Sequence, residues 1–168
     1  MPSRVLYGAV ILILAVLAGV VVTTSAALPD TMASHFGADG IANGFSTRDR
    51  YTTMMVLVLV VVVLPAVVGL LPAFLGRVAS GLLNIPHREY WLAPQRRAST
   101  LAFLSLHGAW FAVLLAGFLT YVHWLVVRAN LAQPAVLPLS MMVPALAVFL
   151  LATMVWVSML YTRFRRAT

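Results

Sequence analysis

Four stretches of the chain, residues 5–27, 52–75, 101–127 and 139–161, are almost continuously apolar and contain no Asp, Glu, Lys or Arg. Each is long enough for the hydrocarbon core of a bilayer, which takes about 20 apolar residues as a helix. The pattern predicts an all-α integral membrane protein: a four-transmembrane-helix bundle forming a single domain over residues 1–168. The first apolar run, 5–22, exceeds the 7–15 residues of a usual signal-peptide core, so it reads as a retained helix.

Between the first two blocks lies a polar stretch, residues 28–51, which holds three of the four carboxylates, Asp30, Asp39 and Asp49. Pro29 and Asp30 predict the start of a short outer helix running to about Phe36. Gly37 and Gly40 end it, and Asn43-Gly44 is a turn signal. Ser46 followed three residues later by Asp49 matches a capping box that launches the second span. Asp30 and Asp39 are expected to form ion pairs with Arg48 or Arg50.

The second interruption, residues 76–98, is basic and aromatic. Tyr90 and Trp91 fit an interfacial aromatic belt, and Arg96 and Arg97 suit anionic headgroups. Pro94 suits a first helical turn, and His87, Arg88 and Glu89 make a polar face open to a partner protein. Pro65 and Pro144 fall inside predicted spans, where each kinks its helix or lines a cavity. Ala15, Gly19 and Thr23 in the first span, and Gly108, Ala112, Ala116 and Thr120 in the third, recur every four residues. Such stripes let helices approach closely in lipid, so these two are expected to face each other or a partner.

Composition agrees with a lipid environment: 62% of residues are hydrophobic and 9% charged, against about a quarter charged in soluble domains. The net charge of +7 comes from eleven arginines, which lie at the ends of apolar blocks rather than in a nucleic-acid-binding patch. Eight of them, Arg4, Arg77, Arg88, Arg96, Arg97, Arg163, Arg165 and Arg166, fall on one side of a four-span topology, and Arg48, Arg50 and Arg128 on the other. The positive-inside bias places both termini in the cytoplasm and residues 28–51 outside. There is no cysteine, which excludes disulfides and thiolate chemistry.

Two histidines lie within the third span. His107 and His123 are 16 residues apart, about 24 Å along a helix, so they cannot ligate one haem iron. His107 is expected to hydrogen-bond a neighbouring helix. His123 is either an interfacial residue or reaches the polar stretch, near His35, Asp30 and Asp39. No cofactor is expected. No span carries a carboxylate or arginine for ion coupling, which disfavours transport.

The pattern LP-x5-HFG-x2-G at residues 28–40, together with NIPHREYWLAP at 84–94, resembles an uncharacterised bacterial membrane family. Its extracytoplasmic His-Phe motif also forms the N-terminal domain of SdpI-type proteins. The resemblance implies a place in the bacterial cytoplasmic membrane. It also implies immunity to a secreted toxic peptide, or retention of a repressor at the membrane. Pro29, His35, Phe36, Gly37 and Gly40, with Asp30 and Asp39 beside them, would then form an outer recognition surface. His87, Arg88 and Glu89 would face an intracellular partner.

Three readings follow. The first is a non-enzymatic envelope sensor or immunity-type protein that binds an extracytoplasmic peptide or other ligand. The second is an accessory subunit, packed against a membrane protein partner or a second copy. The third is a metal-dependent membrane enzyme using Asp30, His35 and Asp39, with His123 behind them.

Overall fold

One long helix organises the molecule. The computed structural model describes residues 4–69 and 84–165. Its elements in chain order are α1 (Arg4–Ser25), β1 (Thr31–Phe36), β2 (Ala42–Thr47), α2 (Arg48–Gly69), α3 (Arg88–Trp91), α4 (Pro94–Asn130) and α5 (Leu139–Phe164). Helix α4 has 37 residues, about 56 Å at 1.5 Å per residue. That is nearly twice the roughly 30 Å of a hydrocarbon core. It begins seven residues before the expected third span, with Pro94 in its first turn as anticipated.

Helices α1, α2 and α4 pack mutually, while α5 lies along the outside of α4. The reason is side-chain size. Ala109, Ala112 and Ala116 are buried and share one face of α4, so the larger Val10, Leu14 and Val21 of α1 and Leu59 of α2 close onto it. The two helices bearing small-residue stripes therefore do face each other, but only one stripe contributes. Ala15, Gly19 and Thr23 are exposed, and a Cβ added to Gly19 or Gly108 would meet nothing within 4 Å. Large residues on α1 meet small ones on α4.

Among the described residues three helices, α1 from Gly8, α4 and α5, are long and apolar enough to cross a membrane. The second expected span starts inside α2. Its residues 70–75 lie outside the described residues, as do 76–83 of the middle loop and Arg166. Pro144 lies within α5, which continues through it.

The expected outer helix is absent, and residues 31–36 form a strand instead. β1 pairs antiparallel with β2, Thr31 opposite Thr47 and Ala33 opposite Phe45. The chain reverses at Gly37 to Gly40, where Gly40 N donates to Gly37 O at 2.9 Å. Asn43-Gly44 sits inside β2 rather than at a turn. Gly44 is needed there because it faces His35, whose Cβ would be 2.9 Å from any Cβ at that position. A second core explains why a strand prevails over a helix. Leu28, Met32 and Tyr51 pack against Val126 and Val127 at the end of α4, with Phe36 and Leu137 alongside.

The start of α2 also differs from expectation. The capping oxygen belongs to Thr47, which accepts from Arg50 N at 3.3 Å. Ser46 is held in the ladder opposite Met32, with its buried Oγ unpartnered. Asp49 still lies in the first turn of α2, where a carboxylate suits the helix dipole.

At the opposite end Trp91 is buried instead of forming a belt. It meets Phe164 edge-on at 5.3 Å under the Arg163 guanidinium, 4.9 Å from its ring centre. Thr100 Oγ1 donates to the Trp91 carbonyl at 2.8 Å.

Candidate functional site

The hairpin end is built by groups on the helices that take over the backbone of a short sheet. Asn130 closes α4, and its side-chain amide mimics a neighbouring strand. Its Oδ1 accepts from Ala33 N at 2.7 Å, and its Nδ2 donates to Ala33 O at 2.9 Å. One amide thus satisfies both polar groups of a buried residue, each costly to leave unpaired. The tip is held by the loop after α4. Leu137 N donates to Gly40 O at 2.9 Å, and Ile41 pairs antiparallel with Val136.

Arg48 holds the base of the hairpin. It donates from its guanidinium to the Leu28 carbonyl at 3.1 Å and from its backbone N to the Asp30 carbonyl at 3.0 Å. It also pairs with the Asp30 carboxylate at 3.0 Å, as expected for one of the two acids. That carboxylate is largely exposed, so the ion pair contributes little on its own; the backbone contacts carry the fixation. Among the described residues Asp39 has no ion pair with an arginine. Its Oδ1 accepts from Ile41 N at 3.0 Å and shapes the turn.

Beneath the hairpin a polar chain crosses three helices. Tyr51 of α2 meets His123 Nδ1 at 2.9 Å, and His123 Nε2 meets Thr24 Oγ1 of α1 at 2.8 Å. Thr24 Oγ1 donates to Val20 O at 2.6 Å, so toward the imidazole it can only accept. That places the proton on Nε2, and Nδ1 then accepts from the Tyr51 hydroxyl. His123 is 0% exposed and both ring nitrogens are engaged. Its role is to join α1, α2 and α4, with no face left for a substrate.

The sequence-predicted site residues are thus separated. His35 is exposed and its Nδ1 pairs across the hairpin with Asn43 Oδ1 at 2.6 Å. Asp30 goes to Arg48, Asp39 to the turn, and His123 to Tyr51 and Thr24. His123 reaches the polar stretch only through its last residue, Tyr51. Among the described residues no three His, Cys, Asp or Glu side chains gather to hold a metal. Phe36 is half-buried against the second core, Gly37 and Gly40 serve the turn, and Pro29 precedes β1 as an exposed residue.

What remains open is a surface that sequence reasoning did not single out. Phe45 is 65% and Ile41 56% exposed, although both are large and apolar. They lie near His35 and Asn43 on a hairpin that, among the described residues, meets no third strand beyond the Ile41–Val136 bridge. A cleft of about 360 Å³ between the hairpin-side ends of α1 and α2, lined by Ser25, Arg48, Asp49 and Thr52, adjoins the hairpin base. Asn130 was also missed, because Asn at a helix end already has a reading as a stop signal.

At the middle loop, His87, Arg88 and Glu89 are exposed, with His87 in the left-handed region at φ 51°. Arg96 is stacked over Tyr90 at 3.9 Å, so it is engaged by the protein. Arg97 lies half-buried in the first turns of α4. No family model, curated protein or solved structure matches the chain.

Proposed function

We propose that this chain is a non-enzymatic, four-span protein of the bacterial inner membrane, with both termini cytoplasmic. In this reading its outer hairpin recognises an extended extracytoplasmic peptide, as an envelope sensor or immunity-type protein would. The observation that carries the reading is the contrast within the hairpin. Its backbone is fixed by Asn130, Arg48 and Leu137, while Phe45 and Ile41 stay exposed beside an edge strand.

Natural edge strands are commonly blunted by charge or proline. β2, reading ANGFST, has neither, and an added peptide strand would gain main-chain hydrogen bonds there. Fixing the hairpin in advance reduces the ordering cost of binding. The test is genetic. A deletion strain should change its sensitivity to envelope-active secreted peptides, and wild type should restore it where Phe45→Asp does not. Unchanged sensitivity across such peptides would remove the reading.

A second reading, an accessory subunit in a larger membrane complex, draws on α5. That helix packs on α4 and leaves Val148, Leu151, Met154 and Val155 exposed. Stoichiometric partners after mild-detergent purification of the native protein would support it.

A further inference from the structure

We infer that the groove between α4 and α5 is a phospholipid site, with Arg128 holding the phosphate and the groove holding an acyl chain. The groove is open along its length and has a volume of about 570 Å³, within the roughly 300–1,000 Å³ of small-molecule sites. Gly117, Tyr121, Met141, Pro144 and Phe149 are among its lining residues. Gly117 helps keep it open by leaving free space where a Cβ would stand. The stacked pair Phe118 and Phe149, 4.4 Å apart, ties the two helices together along it.

The polar end is set by Arg128. It follows Tyr121 and Trp124 on one face of α4, at spacings of three or four residues. Its guanidinium lies 4.8 Å from the Trp124 ring centre and 3.9 Å from the sulfur of Met141, itself a groove residue. Neither partner neutralises it, and the described ion pair goes to Arg48 instead. An exposed arginine at the mouth of an apolar groove, two residues from the end of a spanning helix, complements a phosphate with a hydrocarbon tail. Arginine suits phosphate through its paired N–H donors. The Tyr121 and Trp124 rings suit the depth at which headgroup meets chain.

The test uses the full chain in detergent, with bound lipid counted by native mass spectrometry during titration with phosphatidylglycerol, uncharged diacylglycerol or glycerol phosphate. One phosphatidylglycerol per chain should bind, at least about fivefold more tightly than diacylglycerol, as one arginine–phosphate contact allows. Arg128→Gln should abolish that preference and Arg128→Lys should keep most of it. Gly117→Leu should weaken both lipids, and Arg50→Gln should match wild type. Thermal melting of each variant separates lost binding from lost fold, and Gly117→Leu carries the test if Arg128→Gln does not fold. Equal phosphatidylglycerol binding by wild type and Arg128→Gln would overturn the inference. So would glycerol phosphate binding as tightly as the lipid, or a lipid-free dimer with the groove closed.

Discussion

The Tyr51 hydroxyl donates to His123 Nδ1 across 2.9 Å, with the two rings nearly parallel and 5.7 Å apart. The contact joins the last residue of the polar stretch to a histidine 72 positions further along the chain. Thr24 continues it to α1, so one imidazole fixes the hairpin-side ends of three helices. Tyr51→Phe keeps the ring and removes the donor. By comparison with interhelical hydrogen bonds elsewhere, the loss should be about 0.6–1.7 kcal/mol, read from unfolding in mixed micelles. Nitrogen NMR of selectively labelled histidine should show His123 protonated on Nε2 and bare on Nδ1. The opposite tautomer would contradict the donor assignment through Thr24.

Asn130 is expected to control the hairpin more than the bundle. Asn130→Leu strands the N–H and C=O of Ala33, which is 1% exposed, at a cost of about 1–3 kcal/mol per unsatisfied group. Hydrogen exchange at Ala33 and its neighbours should rise at least about tenfold, while amides in the middle of α4 stay protected. Asn130→Asp retains an acceptor for Ala33 N but loses the donor to Ala33 O, so it should not rescue the clamp.

At the other end of α4, His107 and Trp156 exchange hydrogen bonds. His107 Nε2 donates to the Trp156 carbonyl at 3.1 Å, and Trp156 Nε1 donates to the His107 carbonyl at 2.9 Å, with the rings stacked at 4.6 Å. This pair is a main tether of α5. Trp156→Phe should cost about 0.5–1.5 kcal/mol, and Trp156→Ala about 3–5 kcal/mol. The larger loss should also raise proteolysis toward the C-terminal end of α5.

The helices were legible because an uninterrupted apolar block has one economical solution in lipid. That His107 reaches a neighbouring helix followed from the cost of an imidazole in such a block. The hairpin was not legible for reasons visible in particular residues. Pro29-Asp30 imitates a helix start, and Met32 and Ala33 are both buried, which breaks the alternation that marks a strand. Asn43-Gly44 imitates a turn, although Gly44 is there to make room for His35. Ser46 and Asp49 imitate a capping box one residue away from the real cap, Thr47. Each local signal was sound, but contacts with residues about 80 to 100 positions away (Val126, Asn130, Val136) decided the outcome. His35, Asp30 and Asp39 drew attention as chemistry-bearing side chains, whereas the exposed surface belongs largely to Phe45 and Ile41. Nothing in a single sequence says that an aromatic residue in a polar stretch points outward.

Two glycines separate the structural reading from the small-residue pattern. Gly40 has φ 81°, and a Cβ there would lie 2.7 Å from the Leu137 carbonyl oxygen, the backbone that holds the hairpin tip. Gly40→Ala therefore meets both backbone strain and a clash with an atom that cannot swing away. It should cost more than about 1 kcal/mol and loosen the Ile41–Val136 pairing. Gly19 sits on the exposed stripe of α1, with nothing within 4 Å of an added Cβ. Gly19→Ala should be neutral, or stabilising by up to about 1 kcal/mol through helix propensity. Thermal unfolding of the two variants in one detergent decides the matter. A large loss for Gly19→Ala would mean that the stripe packs against something, most simply a second copy of the chain, and cross-linking through that face would then identify it.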